Sequence, residues 1–236
     1  MLSKQGLIIS DNCITAKPTT RFKIVLDGNR RKLFLLARCA DITVDDVNVD
    51  TDACIISPII YEVGSDVIRK MSKLTNFIFI DPQGFLRKVR HDGSCYVDKS
   101  RIDFSKLNID VIKVDREEAV ALTGLGSTDA LYKLHVRTAI MTTDNRTFML
   151  HNQRLYEIIT DVTGIRDSTG AGDIFAGAYV SAFMQNHDVQ WALCYGVAAA
   201  VLALRTNKVG IEKIPCRKEV EEYASVLHNK IKTLPV

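Results

Sequence analysis

The stretch RDSTGAGDIFAG, residues 166–177, decides the reading of this chain. Two carboxylates, a Ser-Thr pair and three glycines stand just ahead of an apolar segment. The stretch follows a β-like run, YEIIT (156–160), and leads into DIFAGAYVSAFM (173–184), which reads as a helix. Glycines at 170 and 172 let backbone amides approach a ligand with no side chain in the way. The first N–H groups of a helix lack internal partners, and the helix dipole adds partial positive charge. Together these features make an anion site. Asp173 stands at that pole, where a carboxylate stays ionised beside the anion and is placed to accept a proton. A plainer reading, a capped helix start after a tight turn, fits the composition equally well.

Two familiar glycine motifs fail on spacing. A dinucleotide fingerprint, G-x-G-x-x-G, needs glycine at 175, where Phe175 stands. Gly172 and Gly177 have the gap of a P-loop, but Ala178-Tyr179 replace its Lys-Ser/Thr.

The rest of the chain narrows the class. At 236 residues with 47% hydrophobic content, the chain can bury a sizeable core. A net charge of +3 is too small for a nucleic-acid binder. Six cysteines form no C-x-x-C, which disfavours zinc and fits a reduced, cytoplasmic setting, with Cys54 expected as a buried thiol. The N-terminus lacks a signal-peptide core, and the longest apolar run, WALCYGVAAAVLAL (191–204), is short for a bilayer. It reads instead as a buried helix.

RFKIVLDGNRRKLFLL (21–36) predicts a hairpin turning at Asp27-Gly28. From residue 53 the pattern changes. ACIIS (53–57), NFIFID (76–81), DVIKVD (110–115) and TAIMTT (138–143) are continuous apolar runs, as in strands covered on both faces. SDVIRKMSKL (65–74), REEAVALT (116–123) and TDALYKLH (128–135) lie between them and read as helices. The alternation predicts α/β layers around a mostly parallel sheet. A second hairpin is expected over roughly 147–161, and a final amphipathic helix over 217–232.

DSTGAGDIFAG resembles the signature of the ribokinase-like, or PfkB, carbohydrate kinases. Three further segments fall in family order. KVDREEAVALTG (113–124) is similar to the region of the N-x-x-E motif, VRTAIMTTDNRTFML (136–150) to a nucleotide-side strand and turn, and AAAVLALRTNKVGIEKIP (198–215) to the late adenine-side segment. The resemblance implies a three-layer αβα sandwich with a small β lid at about 15–37. It implies phosphorylation, from ATP and Mg²⁺, of a hydroxyl on a sugar, a polyol such as inositol, or a nucleoside. Asp173 would be the general base, and the amides of Gly170, Ala171 and Gly172 the anion hole. Glu118 would help place Mg²⁺ with Asp115 beside it. Thr142, Asp144 and Thr169 would lie on the nucleotide side, and Asp167 would organise the loop or a monovalent cation such as K⁺. Two departures stand out: Asp115 replaces the family's Asn, and Asp144 replaces a glycine.

The resemblance also implies a single kinase domain over 1–236, incomplete at the front, since the family's opening strand and Gly-Gly motif have no counterpart here. DPQGFLR (81–87) is similar to a stretch in archaeal members that include inositol kinases, and offers Gln83 and Arg87 to the substrate. A turn with a solvated arginine reads equally well there. Arg21 and Arg38, on or near the lid, are weaker candidates. A homodimer through lid strands is expected, with neither nucleic acid nor membrane as partner. The rival expectation is a non-catalytic nucleotide- or sugar-binding protein of this fold; an oxidoreductase ranks third.

Overall fold

The computed structural model describes residues 8–9, 14–27, 30–100, 102–161 and 168–235. β1 (Arg21–Asp27) and β2 (Arg30–Ala37) form an antiparallel pair. They are the expected lid hairpin; the tip at Gly28 lies outside the described residues. A seven-stranded sheet follows, in the order β11-β10-β9-β8-β7-β4-β3. Its strands are β3 (Cys54–Ile56), β4 (Ile78–Ile80), β7 (Val111–Asp115), β8 (Thr138–Thr142), β9 (Arg146–His151), β10 (Arg154–Ile159) and β11 (Lys232–Leu234). β3, β4, β7 and β8 run parallel, and β9 to β11 return antiparallel. A small hairpin, β5 (Arg87–Val89) with β6 (Cys95–Val97), stands apart from the sheet and was not expected from the sequence.

Helices cover both faces. α1 (Ser65–Leu74), α2 (Gln83–Leu86), α3 (Arg116–Thr123) and α4 (Asp129–Lys133) contribute to one face. Ile56, Ile78, Ile80, Ile112, Val114 and Met141 meet them in one apolar cluster. α5 (Ala171–Asn186), α6 (Val189–Arg205) and α7 (Arg217–His228) cover the other face. Phe79, Val111, Ile140, Met149 and Tyr156 point there. Successive strand side chains alternate faces, so each continuous apolar run feeds both clusters. The result is the three-layer αβα sandwich.

α5 is seated by an aromatic ladder. Phe175, Tyr179 and Phe183 recur every four residues, so they share one face of the helix. Their rings stack at 6.1 and 6.3 Å, with Phe79 5.6 Å from Tyr179 and Phe77 4.6 Å from Phe183. This fixes the rotation of the helix, and with it what its first turn presents.

Two expectations are corrected. The last helix stops at His228 rather than 232, because Lys232–Leu234 adds an edge strand against β10. Cys54 is only partly buried, since β3 is the other edge of the sheet; burial still pushes its thiol up to about 11. Among the described residues no helix is long and apolar enough to cross a membrane.

Candidate active site

The parallel strands end together, and their C-terminal ends carry the polar residues. Ser57 follows β3, Asp81 follows β4, Asp115 ends β7 and Thr142 ends β8. The N-terminus of α5 meets this row. Ligands bind at this edge in open α/β sheets because loops and helix N-termini converge there.

The glycines before α5 serve different needs. Gly170 has φ +79°, a backbone that side chains with a Cβ rarely adopt, and open space around it. Gly172 has an ordinary backbone but no room: an added Cβ would stand 3.2 Å from Lys113 Nζ and 3.5 Å from Asp81 Oδ2. One glycine turns the chain into the helix, and the other lets a buried ion pair reach up beneath the first turn. Of the three amides expected in the anion hole, that of Ala171 is engaged, donating to the Ser168 carbonyl at 3.2 Å. The helix supplies no acceptor to the next two, Gly172 and Asp173, because the first helical bond is made by Ile174 to Gly170.

The ion pair beneath Gly172 was missed in the sequence. Lys113 Nζ lies 3.1 Å from Asp81 Oδ2, with the two side chains 10% and 8% exposed. Burial opposes the Lys113 charge. Asp81, then Glu118, and the hydrogen bond to Asp81 outweigh it and hold its pKa above the ordinary value. Lys113 interrupts the apolar run DVIKVD, which was its only signal. Glu118 is buried behind it. Burial first, then the neighbouring Asp81 and Asp115, push its carboxyl up to about 8, against the pull of Lys113. Asp115 and Glu118 cap α3 reciprocally. Asp115 Oδ1 accepts from the Glu118 amide, and Glu118 Oε2 from the Asp115 amide, each at 2.8 Å. The capped helix start and the polar cluster are thus the same feature.

Two openings flank the first turn of α5. A cavity of about 340 Å³ lies on one side. Lys113, Asp115, Arg116, Thr142, Asp144 and Gly172 contribute its polar wall, and Val197, Ala200, Val201 and Leu204 of α6 an apolar floor. Arg116 is the second cation that sequence reasoning passed over. A groove of about 450 Å³ lies on the other side, between α5, α6 and α7, with Asp173 and Gly177 on its wall. Asp173 is exposed, and its Oδ1 accepts from the Ser57 hydroxyl at 3.1 Å. The contact spans 116 residues of sequence, so nothing local announced it.

Thr169 is exposed in the loop before Gly170, and its carbonyl accepts from Lys213 Nζ at 3.0 Å. Asp167 lies outside the described residues. Gln83 is exposed at the start of α2. Arg87 Nη1 donates to the Ile59 carbonyl at 2.8 Å, and its guanidinium lies 5.4 Å from the Phe22 ring of the lid. Arg38 holds the Ile60 and Tyr61 carbonyls at 3.1 and 2.8 Å and pairs with Asp41. These arginines brace the lid base against the loop after β3. The lid also docks on the small hairpin, where the Leu35 amide donates to the Gly93 carbonyl at 2.9 Å.

Residues 94–215, just over half of the chain, match the model of the pfkB family carbohydrate kinases. The fold is similar to that of a pyrophosphate-dependent kinase of the ribokinase family solved as a sulfate complex. The TM-score is 0.74 at 22% identity, over 87% of this chain and 74% of that one. It is similar to ribokinase from Thermotoga maritima, with TM-score 0.67, 20% identity, and 89% and 71% of the two chains covered. Arabidopsis thaliana ribokinase, solved with ribose and ATP, gives 0.65, 18%, 89% and 70%. The ribokinase-like sandwich and the matched family agree: this chain belongs to the pfkB family of carbohydrate kinases, enzymes that move a phosphoryl group onto an alcohol.

Proposed function

We propose that the chain transfers the terminal phosphoryl group of Mg-ATP to a hydroxyl of a small sugar or polyol. One observation carries this reading. The first turn of α5 stands between two openings, with Gly172 facing one and Asp173 the other. A donor in the cavity and an acceptor beside Asp173 and Ser57 would meet across that turn. Asp173 would take the proton from the acceptor hydroxyl, with the Ser57 hydroxyl orienting its carboxylate. The amides of Gly170, Gly172 and Asp173, with Lys113 and Arg116, would hold charge on the migrating phosphoryl group, where positioning and electrostatics do most of the work. The apolar floor of the cavity suits an adenine ring. Bare pyrophosphate, the donor named for three of the structural neighbours, would leave that floor empty.

Among the described residues no group of three or more His, Cys, Asp or Glu could hold a metal ion alone. Mg²⁺ keeps several waters and takes one or two carboxylates plus donor phosphates. Asp115 lines the cavity and would hold it directly or through water, with Glu118 behind. When bound, the ion would neutralise charge on the donor. The exposed Ile24 and Leu36 on the lid support a lid-to-lid dimer. The neighbours' acceptors include myo-inositol and ribose, which makes these the first to try.

The test is ADP release from Mg-ATP with sugars, inositols and nucleosides, and phosphate transfer from pyrophosphate in parallel. Turnover with at least one acceptor is expected, together with a loss of about 10²-fold or more in kcat for Asp173→Asn. ATP binding with no acceptor turned over would favour the non-catalytic reading. An Asp173→Asn variant as fast as wild type would remove the base.

A further inference from the structure

Lys213 ends a 3-10 turn (Gly210–Lys213) after α6 and is only 4% exposed. Lysine is almost never this deep unless its charge is partnered. Its Nζ donates to the carbonyl of Thr169, 44 residues earlier in the chain. The position of that carbonyl matters. Thr169 C=O and Gly170 N–H are the two ends of one trans peptide plane, so they point in opposite directions. An ammonium gripping the carbonyl therefore fixes where the Gly170 amide aims. It also polarises the peptide, which strengthens that amide as a donor. Lys213 lines neither the cavity nor the groove, so it acts through the loop and not on a ligand.

The family resemblance implies a monovalent cation beside this loop. Such an ion would need oxygen ligands from the loop, and the Thr169 carbonyl is already held by an ammonium. A second cation next to a buried positive charge would be repelled. The residues present do not fit a monovalent metal ion at this carbonyl. We propose that Lys213 is a built-in cation that orients the anion loop, and that this kinase needs no K⁺. Lys213 is thus a positioning residue. The proposal deepens the kinase reading, and one arm of its test does not depend on turnover.

The first arm is kinetic. Wild type is assayed in KCl, NaCl and tetramethylammonium chloride at matched ionic strength, and kcat should agree within about twofold once screening is equal. Lys213→Ser should lose about 10²-fold in kcat in tetramethylammonium, the scale of a misaimed anion-hole donor. K⁺ or NH₄⁺ should then restore at least about tenfold, as the small ion takes the place of the ammonium. Lys213→Arg should keep cation independence. The second arm follows thermal unfolding. Wild type should melt alike in K⁺ and tetramethylammonium, whereas Lys213→Ser should gain a K⁺-specific rise. If no acceptor is turned over, the kinase reading fails while this arm still decides the role of Lys213. Strong K⁺ activation of wild type, or a folded Lys213→Ser protein blind to every cation in both arms, would overturn the proposal. Should the serine variant fail to fold, the wild-type and arginine comparisons still carry the test.

Discussion

The ion pair beneath Gly172 makes the sharpest test of how this site is built. Lys113 and Asp81 are 3.1 Å apart with almost no solvent on either side chain. At an effective dielectric of about 20 their attraction is about 5 kcal/mol. Taking each charge out of water costs several kcal/mol, so the intact pair is close to neutral for stability. Removing one partner is different, because the other charge stays buried without compensation. Lys113→Met should therefore cost about 3–5 kcal/mol of unfolding free energy. Asp81→Asn keeps a side-chain oxygen for the Gln83 amide, which Asp81 Oδ1 accepts at 3.1 Å. The double variant Lys113→Met/Asp81→Asn should recover at least about 1.5 kcal/mol relative to additivity. Urea unfolding of the four proteins at pH 7 gives the cycle. Additive losses, or a Lys113→Met cost below about 1 kcal/mol, would refute the picture of a dry, coupled pair. In the double variant donor binding should remain weak even as stability returns, since Lys113 lines the cavity.

Two further predictions concern the neighbours of that pair. The Glu118 carboxyl titrates near 8 when folded against an ordinary value of 4.5, so between those limits the folded state binds more protons than the unfolded one. Stability should then fall as pH rises from 5 to 8, by at most about 1.4 kcal/mol per pH unit. Glu118→Gln, which preserves the capping acceptor, should flatten that slope in urea melts at several pH values; an unchanged slope would discount Glu118 as its source. Gly84→Ala should cost about 1–3 kcal/mol as overpacking, because the added Cβ would stand 2.4 Å from the Pro58 carbonyl carbon and oxygen. Pro58 adjoins Ser57, so kcat should fall as well, and a variant with wild-type stability and rate would show that the loop after β3 yields freely.

Much of the fold was legible because local signals and tertiary demands agreed. α1 and α3 span Ser65–Leu74 and Arg116–Thr123, the segments read from periodicity and charge. The parallel strands were visible as apolar runs because both faces are covered. The β5–β6 hairpin and β11 were not. Their strands are three residues each and half exposed, too short for a hydrophobic period to register. Lys113 was hidden for the opposite reason: it sits inside a buried strand, where a charge reads as an irregularity in the pattern.

The amino-acid sequence alone determined the layer architecture and the glycine-rich turn before α5, since strand and helix periodicity and the positive φ at Gly170 are local properties. Only the tertiary structure decided what surrounds that turn. Ser57 meets Asp173, Asp81 meets Lys113 and Lys213 meets Thr169 across 116, 32 and 44 residues. Such pairings follow from strand order and helix packing, which bring distant chain segments to one sheet edge and leave no periodic trace along the chain.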